Sequence, residues 1–300
     1  MAQTIVVENL RKRYGDVNAV DGVSFQVEEG EFVGILGPNG AGKTTTLEII
    51  EGLREADGGT VSVLGLQPWP RNSALLPRIG VQLQSSSFFE RLTAREQLQT
   101  FGSLYGVPAK KADAMLETVG LTDKADVQVE RLSGGQAQRL SIACALVHEP
   151  ELLFLDEPSA ALDPQARRNL WDVLREINTD GRTIILTTHY MDEAEILCDR
   201  VAIMDAGTIL KIGPPATLVR ELNAPVRIGL PSGVLTETDA RALPAVDQVG
   251  DDGVSLTITT HDPSPIITAL AQREALDGLQ IRGATLEDVF LTLTGREYRA

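Results

Sequence analysis

The stretch GPNGAGKTT at 37–45 follows the apolar run EFVGIL and carries the spacing G-x-x-x-x-G-K-T. That pattern suits a chain of phosphates. The backbone of Gly37, Pro38, Asn39, Gly40, Ala41 and Gly42 can turn so that its amides face phosphate oxygens. Lys43, Thr44 and Thr45 then open a helix whose positive end points the same way. Lys43 is placed to reach the outer two phosphates of a nucleoside triphosphate, and Thr44 to ligate its Mg²⁺. A plain glycine-rich turn with an exposed lysine would not need every fixed position filled.

A matching pair of acids ends the run LLFLDE at 152–157. A carboxylate at the end of an apolar strand is costly unless it meets a cation or hydrogen bonds. Asp156 meets that need as a Mg²⁺ contact through water. Glu157, one residue beyond the apolar stretch, can polarise a water aimed at the terminal phosphate. Alone, such an acid would read as a solvated loop residue. Behind a phosphate loop it reads as the base of a hydrolysis.

The pentapeptide LSGGQ at 132–136 looks built for a second anion. Ser133 and Gln136 fit a helix-capping box, and capping alone could explain them. It does not explain Gly134 and Gly135 in a first turn, where each costs up to about 1 kcal/mol against alanine. Bare backbone at a helix N-terminus invites an anion. Because residues 37–45 already surround one set of phosphates, this face is expected to serve the nucleotide of a second copy, in a two-fold dimer.

The elements that must position these groups alternate along the chain. Strands are expected at 4–10, 31–37, 151–157, 182–189 and 200–210, with helices over 93–119 and 135–148. The continuous apolar run at 152–155 suits a strand covered on both faces of a mostly parallel sheet. The helices form a block inserted after the first loop, at about 85–148. Prolines at 214 and 215 start a short helix and the tripeptide NAP ends it. Beyond 222 the order becomes strand–helix–strand–strand–helix–strand, which predicts a small ferredoxin-like α+β domain over 223–300 after an α/β domain over 1–222. A last helix is expected from Thr285, capped with Asp288, with Leu286, Val289, Phe290 and Leu293 as its apolar stripe.

The 300 residues carry a net charge of −15, which argues against a nucleic-acid partner. No apolar run approaches the ~18–20 residues of a membrane-spanning helix. The start, MAQTIVVENLRKRYG, lacks the features of a signal peptide. Cys144 and Cys198 read as reduced thiols. The expectation is a cytoplasmic protein that reaches a membrane only through a partner.

Phosphate loop, LSGGQ and LLFLDEPSAALD, in this order and spacing, resemble the nucleotide-binding subunit of an ATP-binding-cassette (ABC) transporter over residues 1 to about 220. The resemblance implies a P-loop ATPase with a helical subdomain, ATP and Mg²⁺ as cofactors, a homodimer with ATP, and an integral-membrane permease partner on the inner face of the cell membrane. It also implies further site residues. Tyr14 matches the aromatic that stacks on adenine. Gln84 matches a glutamine that touches Mg²⁺ and the attacking water, with Gln82 an alternative on the same strand phase. His189, at the end of IILTTH, matches a histidine that contacts the terminal phosphate, whereas His148 and His261 have no such position. Asp163 matches the acidic end of a loop that crosses the dimer, and it also fits the cap of the helix begun by Pro164. Ala161 stands where glycine is commoner, a change expected to weaken dimer contacts modestly at most.

The ending GATLEDVFLTLTGREYRA resembles the drug-resistance exporter branch, including daunorubicin-type subunits, and so implies efflux of a drug, antibiotic or lipid-like cargo. Three other classes fit less well. A translation ATPase usually has two cassettes, a chromosome ATPase has long coiled coils between loop and LSGGQ, and intact Glu157 and His189 argue against a non-transport regulatory module. An importer ATPase is a further alternative, although many of those carry a β-rich barrel in place of a small αβ tail.

Overall fold

In this computed structural model residues 3–83, 88, 89, 91–179 and 181–295 are described. Two long strands, β1 (Gln3–Tyr14) and β2 (Val17–Glu28), open the chain and pair antiparallel. β3 (Phe32–Leu36) runs into α1 (Lys43–Ile50), and β4 (Gly58–Val63) returns to pair with β1. β5 (Ile79–Gln82) leads to three helices, α2 (Ala94–Leu104), α3 (Ala109–Thr118) and α4 (Gly134–Leu146). Then come β6 (Leu152–Asp156), α5 (Pro164–Thr179), β7 (Thr183–Thr188), α6 (Met191–Leu197), β8 (Arg200–Asp205) and β9 (Thr208–Gly213). α7 (Pro215–Glu221) follows.

The central sheet has the order β5-β6-β7-β3-β8-β9, parallel except for β9. Every residue of β3, β6 and β7 is buried, as strands covered on both faces require. The three-stranded sheet β2-β1-β4 packs its apolar face on α1 and on one face of the central sheet. Ile5, Val7 and Leu10 meet Leu47, Ile49 and Ile50 there, over Val33, Ile35, Phe154 and Ile185. A second core lies among α2, α3 and α4, built from Leu98, Leu116, Leu121, Leu140 and Val147.

Two expectations are corrected. The helical signal over 93–119 is two helices, because Gly106 turns left-handed (φ 71°) and Pro108 has no amide to continue the ladder. The strand expected at 200–210 is a hairpin of β8 and β9, turned by Ala206 and Gly207, both at positive φ. β2 and β4 were not expected as strands at all. The chain divides into two units, residues 1–215 and 216–300. The second holds α7 from its second residue, then β10 (Val226–Pro231), α8 (Glu237–Arg241), β11 (Gln248–Asp251), β12 (Ser255–Thr260), α9 (Pro263–Gln272), β13 (Gln280–Arg282) and α10 (Leu286–Thr294). Its antiparallel sheet, β11-β12-β10-β13, is that of a split βαβ sandwich. Ile228, Leu230, Leu256 and Ile258 face Ile266 and Leu270 of α9. In α10 the amide of Thr285 donates to Asp288, and Leu286, Val289 and Phe290 are buried while Leu293 stays exposed.

Candidate functional site

Open parallel sheets gather ligands at the carboxyl ends of their strands. Here three neighbouring strands, β6, β7 and β3, end together. Leu36 is in register with Thr188, and Asp156 with Thr187. The residues that follow, Gly37, Glu157 and His189, therefore emerge side by side. The amide of Gly37 donates to the Thr188 carbonyl at 3.2 Å, which ties the start of the phosphate loop to the segment carrying His189.

Loop geometry explains two of the glycines. At Gly42 the backbone is left-handed (φ 102°), and a Cβ would lie 2.2 Å from the Ala19 carbonyl oxygen. At Gly37 a Cβ would lie 2.2 Å from the Met204 carbonyl oxygen. Ala41 donates to Pro38 and Thr46 to Gly42, so the amides of Lys43, Thr44 and Thr45 in the first turn of α1 have no helical acceptor. Pro38, Asn39 and Gly40 complete the turn. This is a cradle of amides at a helix N-terminus, the geometry that phosphate oxygens accept.

Lys43 Nζ donates to the carbonyls of Gly37 (2.9 Å) and Pro38 (3.1 Å) and stands 3.1 Å from Glu157 Oε1. Both side chains are buried, at 4% and 8% exposure. Glu157 itself sits at φ 46°, a strained conformation for a side-chain-bearing residue, held by its amide bonding to Thr187. His189 Nδ1 is 3.4 Å from Glu157 Oε2, near enough for electrostatic contact but outside hydrogen-bond geometry.

Asp156 accepts from Thr44 Oγ1 at 3.1 Å and from Thr187 Oγ1. Burial lifts its carboxyl above the usual range. The two hydroxyl bonds pull it back, the charge of Glu157 adds to the lift and that of Lys43 opposes it. A hydroxyl and a carboxylate oxygen on adjoining elements fit a hard divalent cation. Thr44 and Asp156 would hold Mg²⁺, which when bound neutralises phosphate charge. Thr187 is a member of the site that the sequence reading missed. It is one of three buried threonines in β7, with Thr183 and Thr188, and its residue type alone does not single it out.

Other expected residues lie elsewhere. Gln84 falls outside the described residues. Gln82 ends β5, buried, with its amide on the Leu83 carbonyl. Tyr14 is 41% exposed at the end of β1, so it is no core aromatic, and the Arg54 guanidinium stands 5.4 Å from its ring centre. Asp163 caps α5, accepting from the amides of Gln165 and Ala166 at 2.9 Å each. Ser133 and Gln136 form the expected capping box of α4. The two glycines of that turn differ. A Cβ at Gly135 would press on Ala166 of α5 at 2.9 Å, a packing reason, whereas Gly134 is exposed with nothing within 4 Å. Among the described residues no hydrogen bond or ion pair joins 133–136 to 37–45.

His148 stacks on Tyr105 and bonds the Ile79 carbonyl, and exposed His261 pairs with Asp247. Both cysteines are buried free thiols. Ala161 has φ 61°. The backbone there takes the left-handed form that a side chain strains.

The family described as ABC transporter matches residues 20–160. The Nod factor export ATP-binding protein I of Ralstonia nicotianae is 41% identical over 98% of this chain and 94% of its own length. The linearmycin resistance ATP-binding protein LnrL of Bacillus subtilis is 37% identical over 97% and 98%. Among solved structures, a dimeric ATP-binding cassette in a post-hydrolysis state with ADP and Pi covers 70% of this chain and 98% of its own, at TM-score 0.63 and 28% identity. With the phosphate cradle, the paired acids and these likenesses together, the chain belongs to the ATP-binding subunits of ABC transporters, which are ATPases.

Proposed function

We propose that this ATPase powers an exporter, moving a drug, antibiotic or lipid-like cargo through a separate integral-membrane permease at the inner face of the cell membrane. Two copies close head to tail around two ATP, each offering residues 133–136 to the other's phosphates. Glu157 polarises the attacking water. Lys43 and His189 bind the terminal phosphate, and Thr44, Asp156 and Gln84 hold Mg²⁺. Tyr14 stacks on adenine, and Asp163 faces the second copy. Residues 223–300 make a separate small domain after the ATPase.

The observation that carries this reading is the convergence of Lys43, Asp156, Glu157 and His189 at the ends of adjacent strands, while exposed Gly134 is bound to none of them. Export as the direction is supported by the names of the two relatives, Nod factor export and linearmycin resistance. Among the described residues no helix is long and apolar enough to cross a membrane, so membrane attachment is assigned to the permease. Expression with and without a candidate permease tests this. The chain should pellet with membranes, and its hydrolysis should respond to the permease, only when both are present. Equal pelleting without the permease would contradict the proposal.

A further inference from the structure

His189 leaves β7 with its side chain 32% exposed, so the strand alone does not fix its ring. The next residue supplies a support. The Tyr190 ring centre lies 4.1 Å from that of His189, with the planes inclined by 39°. The Arg167 guanidinium lies over the Tyr190 ring, 3.8 Å from Cζ to the ring centre, which is close contact for a cation on an aromatic face. Arg167 belongs to the first turn of α5, and its amide donates to the Asp163 carbonyl at 2.9 Å.

One turn further along α5, Trp171 Nε1 donates to Glu193 Oε1 at 2.9 Å inside the core. Glu193 is fully buried, and that burial pushes its carboxyl upward. Arg167 and Trp171, four apart, share a face of α5, while Tyr190 and Glu193, three apart, span the start of α6. So α5 grips the segment behind His189 at two points one helical turn apart. The Trp171–Glu193 bond fixes the spacing of the two helices. The Arg167–Tyr190 contact reaches the imidazole.

We propose that Arg167 and Tyr190 are positioning residues that carry the placement of the Asp163 loop to His189. Arg167 moves with the N-terminal turn of α5, the Tyr190 ring follows the guanidinium, and the His189 ring is set against Glu157. The inference rests on the proposed role of His189 and on Asp163 facing the second copy. It goes beyond them by linking the two sites through one face of α5.

The test is steady-state ATP hydrolysis by the full chain, comparing Tyr190→Leu, Tyr190→Phe, Arg167→Gln, the Tyr190→Leu/Arg167→Gln double variant and His189→Ala. Tyr190→Leu and Arg167→Gln should each lower kcat about tenfold and leave KM for ATP within about twofold, as loss of a transition-state arrangement does. Tyr190→Phe keeps the ring and should stay near the wild type. The double variant should be no worse than the poorer single one, because both act through the same contact. Multiplying losses, an equally impaired Tyr190→Phe, or wild-type kcat in Arg167→Gln beside an inactive His189→Ala would each overturn the inference. A fully active His189→Ala would instead remove the role of His189 itself.

Discussion

Replacing Glu157 by glutamine probes the centre of the site. Glu157 Oε1 stands 3.1 Å from Lys43 Nζ, with both side chains almost wholly buried. Bound ATP has to share that ammonium, and its phosphate charge must come close to the carboxylate. One unit of repulsion at about 5 Å and an effective dielectric of about 20 amounts to ~3 kcal/mol. Glutamine removes the repulsion and frees Lys43 from its anionic partner. It also leaves Lys43 with a weaker neutral acceptor, which offsets part of the gain. A net of ~1–2 kcal/mol is expected, so the variant should bind ATP roughly tenfold tighter. Hydrolysis should move the other way, with kcat down by about 10²–10⁴ for loss of a positioned base. Equilibrium titration with a fluorescent ATP analogue and single-turnover phosphate release measure the two effects separately. Weaker ATP binding, or hydrolysis within about tenfold of the wild type, would refute the placement of Glu157 between the lysine and the phosphate.

Ala161→Gly should stabilise the chain. Relief of the left-handed backbone is worth ~1–2 kcal/mol and the added freedom of the unfolded glycine costs ~0.5–1, leaving a rise in Tm of about 1–3 °C by calorimetry. A lower Tm would contradict the strain argument. Glu51, which lines a groove with Ile79, Phe101, Tyr105 and His148, is raised by burial, and then by the charges of Asp156 and Glu48, from 4.5 to about 8. Between those values the folded chain holds a proton that the unfolded chain has released, so stability falls as pH rises through that window. Unfolding free energies of Glu51→Gln and wild type from urea titrations should agree near the lower end and separate towards pH 8, on the order of a few kcal/mol, with the wild type lower. Parallel curves would contradict it.

Much of the site was legible because phosphate chemistry fixes residue types and spacings. G-x-x-x-x-G-K-T needs its glycines and lysine wherever it occurs, and an acid after an apolar strand is conspicuous for its cost. The central strands were legible from runs such as LLFL, whose burial on both faces leaves no room for polar residues. What escaped was conformational. β2 alternates Val23, Phe25 and Val27 inward, yet Asp21 and Gly22 interrupt the pattern and its register on β1 shifts. Residues 206 and 207 form a hairpin turn with alanine where asparagine or aspartate usually signals one. Neither the positive φ of Glu157 nor that of Ala161 leaves a mark on residue type. The Arg167–Tyr190 contact was hidden because its partners are 23 positions apart and neither belongs to a motif of its own.

Exposed Gly134 and its turn are proposed to serve the phosphates of a second copy. Without nucleotide, two chains of net charge −15 repel and should sediment as monomers at low salt. Glu157→Gln with saturating ATP and Mg²⁺ should sediment as a dimer, because the bridging phosphate is no longer removed. Adding Ser133→Arg, which fills the face of that turn, should return it to monomer while ATP binding persists. A Glu157→Gln chain that stays monomeric at saturating ATP, both alone and with its permease, or a dimer indifferent to Ser133→Arg, would contradict the account.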